Sequence, residues 1–352
     1  MTDRPAAPVV IKLGGDALAS PQRIVAQAAR IAQAAAAGPV VAVASARRGV
    51  TDHLLALARE VSEGTTVGDR REQPPRIARC IRAERDRAVA TGEVVSAALL
   101  ALALNELGVE AISLDAREAG VLSHGQFGDA RIRRVVPRRL RQLLDRGAVP
   151  VVTGFQGWQQ GRVATLGRGG TDTSAVALTL ALDGTRTVFV KEAHGLRTAD
   201  PRLVPEAAKI PEAPHAFLSA LAAAGSRVVQ AEAAELAERH GIRLEFCSLD
   251  AAAPDSIVHR EAVAAGLRAV ASRVDETHGH VTALAGQPGD LLHEAESLRG
   301  ALLGASLTVT EIQPAANGLR FVVPPDQVVP ALRTLHTAFV GRRSPGQARR
   351  AS

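Results

Sequence analysis

Short apolar runs, each cut off by a polar loop and followed by a segment of helical period, recur along this chain and leave it few folds to adopt. PVVIKL (residues 8–13) is broken by GGD before a helix-period segment from about Ser20 to Ala37. GPVVAVAS ends in the turn SARRGVTD ahead of the helical LLALAREVSEG, and TGEVVSAALLALALNELG reads as a further helix before the strand VEAISLD. VPRRLRQLLDRG then leads into the strand AVPVVTGFQG, and TRTVFVK closes in the loop EAHGLRTADPRLVP. Strands that alternate with helices in this way predict an α/β fold, a mostly parallel sheet with helices on both faces and binding loops at the strand carboxyl ends.

A chain of 352 residues exceeds one average domain of roughly 100–200 residues, so a large and a small domain are expected. The character changes near Ser248, where SLDAAAPDSIVHRE is turn-rich. We therefore read a large domain over 1–250 and a smaller α+β domain over 251–340, with the basic tail 341–352 disordered. The small domain reads as strand HVTALAG, helix LLHEAESLRGALLGA, strands LTVTEIQP and GLRFVVP, and helix DQVVPALRTLHTAFV, with an extra strand from GLRAVASRV.

The net charge of +6 is carried by arginines mixed with Glu and Asp, and the chain has one Trp and no Tyr on which bases could stack. A nucleic-acid partner is not expected. Cys80 and Cys247 have no metal-ligand or disulfide spacing, which fits a reduced cytoplasm. No membrane or targeting segment is read, and no metal site is assigned to protein side chains.

The stretch LGRGGTDTSAVALTLAL, residues 166–182, carries the sharpest chemistry. Thr171, Asp172 and Thr173 suit a helix N-cap, Gly169 and Gly170 let backbone N–H groups approach a ligand, and Arg168 offers a planar fork to a carboxylate or phosphate. Only Lys12, Lys191 and Lys209 among the 42 basic residues are lysines. A compact ammonium kept beside glycines is a candidate phosphate ligand, since a guanidinium fits poorly between phosphate oxygens.

Five loops hold these residues: KLGGD, SARRGVTD, TGE, GRGGTD and TADPR. Their order and spacing resemble the aspartokinases of the amino acid kinase superfamily, whose strings VKFGGTS, VSAMxGxTD, STGExxS, GFQG, TLGRGGSDT and YTADPR follow in that sequence over roughly residues 9–250. The last stretch, with LRTLHTAF, resembles a single ACT regulatory module where most of the family carry two.

The resemblance implies the amino acid kinase fold and transfer of the γ-phosphoryl group of ATP, with Mg²⁺, to the β-carboxylate of L-aspartate. It implies catalytic roles for Lys12, Asp172 and Arg227, and an acceptor site of Ser45, Thr51, Glu93, Phe155 and Arg168. It places Lys12, Gly14, Gly15, Gly169, Gly170, Lys191, Glu192, Arg197, Arg202 and Arg227 on the nucleotide side, and it implies a homodimer through the ACT-like domain. The chain departs from the family strings where TDVDG becomes KEAHG (Lys191–Gly195), where the lysine of GAKVLH becomes Arg227, and where Thr-Ser becomes Asp16-Ala17. Asp16 would repel a triphosphate unless a cation lies between them, or else it caps a helix and turns away. His194 reads as a loop residue. Two alternatives stand beside the aspartate kinase: a related enzyme with another carboxylate acceptor or nucleotide, and a catalytically weak homologue with a regulatory or binding role.

Overall fold

The computed structural model describes residues 6–64, 74–167, 169–192, 195–287 and 291–341. Arg168, His194 and nearly all of the tail read as disordered lie outside the described residues. Packing divides the chain into two compact units. The first holds the described residues up to Glu192 together with Cys247–Asp250, and the second those of Ala193–Phe246 and Ala251–Ser352.

The first unit follows the alternation in the sequence. Its elements are β1 (Val9–Leu13), α1 (Pro21–Ala37), β2 (Val40–Ala44), α2 (Val50–Gly64), α3 (Pro75–Glu106), β3 (Ala111–Leu114), β4 (Val121–Gln126), β5 (Asp129–Val135), α4 (Arg138–Asp145), β6 (Val149–Thr153), β7 (Gln156–Gln159), β8 (Arg162–Thr165), α5 (Gly170–Ala181) and β9 (Arg186–Lys191). The central strands lie in the order β9-β1-β2-β6-β3, all parallel. Alternate residues of each strand point to opposite faces, so Ile11 and Leu13 pack with Ile24, Ile31, Leu100 and Leu104 on one side. Val10, Val41 and Val43 pack with Leu140, Leu143 and Leu178 on the other. Both faces are covered, as a parallel sheet requires.

A second, smaller sheet of order β5-β4-β7-β8 stands apart in the same unit. α3 is long and apolar enough to cross a membrane by length and composition alone. Its face from Ala83 through Leu104 is buried instead, which makes it a core helix.

The second unit holds β10 (Leu196–Arg197), β11 (Lys209–Ile210), β12 (Glu212–Ala213), α6 (His215–Ala223), α7 (Ala231–His240), most of β13 (Arg243–Ser248), β14 (Ser256–Val258), β15 (Arg268–Val274), β16 (Gly279–Ala285), α8 (Ala295–Gly304), β17 (Glu311–Ala315), β18 (Gly318–Val323) and α9 (Val328–Leu335). An antiparallel sheet of order β15-β16-β18-β17 packs against α8 and α9 around Phe321, Leu302, Leu332 and Phe339. Ala199, Val204 and Ala207 share that core. The packing division therefore differs from the boundary read near residue 250, since residues 195–246 go with the C-terminal segment.

Candidate active site

The loops of the first unit are laced together at the carboxyl edge of the sheet. Leu13 lies beside Ala44 and Val190, and Ala44 beside Thr153. Past those ends the Gly14 N–H donates to the Val190 carbonyl at 3.0 Å, the Ser45 N–H to Leu13 at 3.2 Å, the Arg48 N–H to Gly15 at 3.2 Å and the Gly154 N–H to Ala44 at 3.0 Å. A Cβ on Gly15 would meet the Ala46 carbonyl oxygen at 2.9 Å, so only glycine lets the KLGGD and SARRG loops approach this closely.

Lys12 leaves β1 buried, and its Nζ lies 2.9 Å from Asp172 Oδ1. Lys191, at the end of β9, places its Nζ 3.0 Å from Asp172 Oδ2. Burial alone would raise the Asp172 carboxyl, but the two ammonium groups outweigh it and hold it at about 2. Burial pushes Lys191 down, as does the neighbouring Lys12, while Asp172 opposes both. One carboxylate thus pairs with two ammonium groups.

The capping role read for Thr171, Asp172 and Thr173 is corrected by the structure. Gly169, at φ 77°, is the N-cap of α5, no side chain caps the helix, and the trio falls in its first turn. A left-handed cap of this kind favours glycine. Asp172 is spent on the lysines, and in the first turn of α5 the Gly170 N–H donates to Gly167 at 3.2 Å and the Asp172 N–H to Gly169 at 3.0 Å. Phe155 holds φ 64°, a strained conformation for a non-glycine residue, and its ring would lie 3.3 Å from a Cβ on Gly170.

Asp16 is likewise not a cap. It sits inside a single 3₁₀ turn, Gly15–Leu18, capped by Gly14, and its carboxylate pairs with Arg48 Nε at 2.9 Å. Arg48 also reaches Glu192 at 3.5 Å. A cation of the SARRG loop thus pairs with Asp16.

Glu93 is 3% exposed on α3, and its Oε1 accepts from the Ala46 N–H at 3.1 Å. Its Oε2 is buried with no hydrogen-bond partner. Burial raises this carboxyl to about 7, with the Ala46 hydrogen bond opposing. Ala46 links the two halves of the site, its N–H on Glu93 and its carbonyl against Gly15. Ser45 precedes it, and Thr51 stands in the first turn of α2.

Asp86 was not read from the sequence. Two turns before Glu93 on the buried face of α3, its carboxylate accepts from the N–H groups of Gly128 and Thr165, each at 2.8 Å, and from Thr165 Oγ1 at 2.9 Å. Burial raises its pKa, and those hydrogen bonds oppose the rise. It pins the β4–β5 turn and the end of β8, just before the GRGGTD loop. Asp86→Ala should cost about 3 kcal/mol, because the Thr165 N–H and hydroxyl would be left buried without this acceptor and the Gly128 N–H would lose its tie. Urea unfolding measures it, and a loss under about 1 kcal/mol would refute the anchoring role.

Of the remaining sequence-predicted residues, Arg197, Arg202 and Arg227 belong to the second unit. Arg202 holds Asp200 through Nε at 3.0 Å and Nη2 at 2.7 Å, and Arg227 acts on the same carboxylate by its charge. Arg197 donates to the Ala207 carbonyl at 2.9 Å. A groove of about 560 Å³ lined by His124, Arg133, Arg134 and Trp158 contains none of the candidate site residues.

The parallel sheet gathers glycine backbone, two lysines and an ionised aspartate at one edge, an arrangement whose chemistry suits an anion, and a model of the amino acid kinase family matches residues 7–248. Curated relatives narrow the class. The Corynebacterium glutamicum aspartokinase is 36% identical over 88% of this chain and 72% of its own length. That of Mycolicibacterium smegmatis is 39% identical over 71% of this chain, which spans 56% of that relative. Escherichia coli aspartokinase III, solved in complex with aspartate and ADP, superposes with a TM-score of 0.66 at 25% identity, covering 90% of this chain and 78% of that one. The chain belongs to the aspartokinases of the amino acid kinase family.

Proposed function

We propose that this chain is an aspartate kinase, transferring the γ-phosphoryl group of ATP to the β-carboxylate of L-aspartate to give 4-phospho-L-aspartate. The observation that carries the reading is the clustering of Lys12, Lys191 and Asp172 against Gly14, with the Glu93 carboxyl, whose Oε2 has no hydrogen-bond partner, one loop away. Phosphoryl transfer needs positioning and neutralisation of charge on the equatorial oxygens, which the lysines and the backbone N–H groups of Gly15 and Gly169 provide, while Gly14 and Gly170, whose N–H groups donate to Val190 and Gly167, line the loop without a side chain. Asp172 keeps the ammonium groups charged and in place. On the acceptor side Glu93 takes the α-ammonium, Arg168 the α-carboxylate, and Ser45, Thr51 and Phe155 shape the pocket. Arg197, Arg202, Arg227 and Glu192 serve the nucleotide.

Among the described residues no group of three or more His, Cys, Asp or Glu could hold a metal. Mg²⁺ would enter with the phosphates of ATP, as this ion commonly does, and would supply charge neutralisation at their oxygens. Residues 251–340 act as a single ACT-like module through which two copies pair, and the enzyme works in the cytoplasm.

An acyl-phosphate assay, trapping product as a hydroxamate with ATP, Mg²⁺ and L-aspartate beside a panel of other amino acids and nucleotides, tests the reading. Aspartate-dependent product is expected. Product only with another acceptor or nucleotide would replace it by a divergent kinase, and ATP binding without product by a regulatory homologue.

A further inference from the structure

Arg133 and Arg134 are consecutive in β5, yet both line one groove of about 560 Å³ on the small sheet of the first unit. Neighbours in a regular strand point to opposite faces. A bulge removes the conflict: Leu122 of β4 lies beside Arg134 and Ser123 beside Ile132, so Arg133 is the extra residue and turns toward the same groove. We propose that this groove binds a compact polyanion, a small molecule carrying two or more phosphate or carboxylate groups, at a site apart from the candidate active site.

The floor of the groove is fixed. Among the described residues β4 and β7 pair at one position, Leu122 with Trp158, and past it side chains take over from the ladder. Gln159, 6% exposed, donates to the Gly125 carbonyl at 3.2 Å, and the Ser123 hydroxyl donates to Gln159 Oε1 at 3.4 Å. A Cβ on Gly157 would meet Ser123 Cβ at 2.4 Å, so only glycine lets β7 lie this close to Ser123.

The walls carry charge of one sign. Arg133 and Arg134 are exposed, His124 joins them, and among the described residues no acidic side chain lines the groove. Arg117 stands over Trp158, its guanidinium carbon 5.3 Å from the ring centroid, which brings a third guanidinium to a residue of the wall. Each guanidinium fork can hold an oxyanion bidentately, so a ligand with a single anionic group satisfies only one of two adjacent forks. At least two anionic groups are the better match. The volume lies within the roughly 300–1,000 Å³ of small-molecule sites, which favours a compact ligand over an acidic polypeptide.

Trp158 is the one tryptophan of the chain, so its emission reports the groove directly. The test titrates wild type with sodium pyrophosphate and with citrate at about 0.15 M salt, where attraction between distant exposed charges is largely screened. A saturable change in emission is expected with at least one of them. A change with pyrophosphate alone assigns the groove to phosphorylated ligands, and one with citrate alone to polycarboxylates. Arg133→Ala and Arg134→Ala should each weaken binding about tenfold, the order expected when one charge-assisted hydrogen bond is lost. The melting temperature of the free protein should not move, since both side chains are exposed. Arg59→Ala removes the same charge from α2 and should bind as wild type does. No saturable change with either anion overturns the inference. So does unaltered affinity in both groove variants, which would place the anion elsewhere, or an equal loss in Arg59→Ala, which would reduce it to general attraction by a basic chain. None of these readouts needs turnover, so the result is separate from that of the kinase reading.

Discussion

Asp172→Asn is expected to lose about 3–5 kcal/mol of stability and nearly all phosphoryl transfer, the largest effect of any single substitution in the site. Its carboxylate is 5% exposed and is the counter-charge for both Lys12 and Lys191. An amide of the same shape leaves two buried ammonium groups facing each other, and breaking a buried pair from one side costs about that much. Burial and Lys12 push the Lys191 pKa down, and the substitution removes the carboxylate that opposes them. Turnover falls because the ammonium groups lose the charge that holds them in place.

The pH dependence of this stabilisation has a definite sign. Asp172 sits at about 2 when folded against 3.8 for the free side chain, so its contribution is complete above the higher value and fades as pH falls through the lower one. Between pH 5 and 8, the span over which carboxylates of ordinary pKa stay ionised, the deficit of Asp172→Asn should be flat. Urea midpoints at several pH values measure it. Added sulfate should restore part of the loss by standing in for the missing charge. A variant as stable as wild type would mean that the lysines do not depend on Asp172.

The loops that make up this site were legible because they break strong patterns. Glycine pairs interrupt β-branched runs at Gly14 and Gly169, and lone lysines stand out in a chain that otherwise uses arginine. What the pattern could not carry was direction. Asp172 reads as a cap because Thr-Asp-Thr precedes an apolar helix, but the helix starts earlier, at glycines in a left-handed turn. α3 was read only from Thr91 onward, whereas it begins at Pro75, since the arginines of IARCIRAERDRAVA hide its buried face of Ala83, Asp86, Val89 and Ala90. The strands VLSHGQ and DARIRRV went unread because most of their residues are exposed, so hydrophobic alternation is weak. Asp86 had a signal: it lies seven residues before Glu93, on the same helix face. Lys191 appeared in the sequence as a departure from the family string, and the strand register gives that departure a location beside Lys12.

Glu93→Gln should make the chain more stable at pH 8 while weakening its grip on the amino-acid substrate. The Glu93 carboxyl is raised from 4.5 to about 7 chiefly by burial. A raised carboxylate favours the folded state fully below its unfolded pKa, and that advantage is lost as pH rises through the folded one. At pH 8 the wild type keeps an ionised group in a buried place at a cost on the order of 3 kcal/mol, which glutamine avoids. The offset comes from substrate, whose ammonium would meet the unpaired Oε2 and pair with the charge that burial disfavours. Affinity for aspartate should therefore fall about tenfold per unit as pH drops below 7 in the wild type, because one proton must leave Glu93 before the ammonium binds. In Glu93→Gln that slope should vanish, with KM for aspartate high at every pH and KM for ATP unchanged. Steady-state kinetics from pH 5.5 to 8.5, about the span on either side of the shifted value, decide it. An unaltered pH slope in the variant, or an equal rise in both KM values, would take Glu93 out of the acceptor site. Stability gained at pH 8 together with affinity lost would instead identify a carboxylate kept in an unfavourable place for binding.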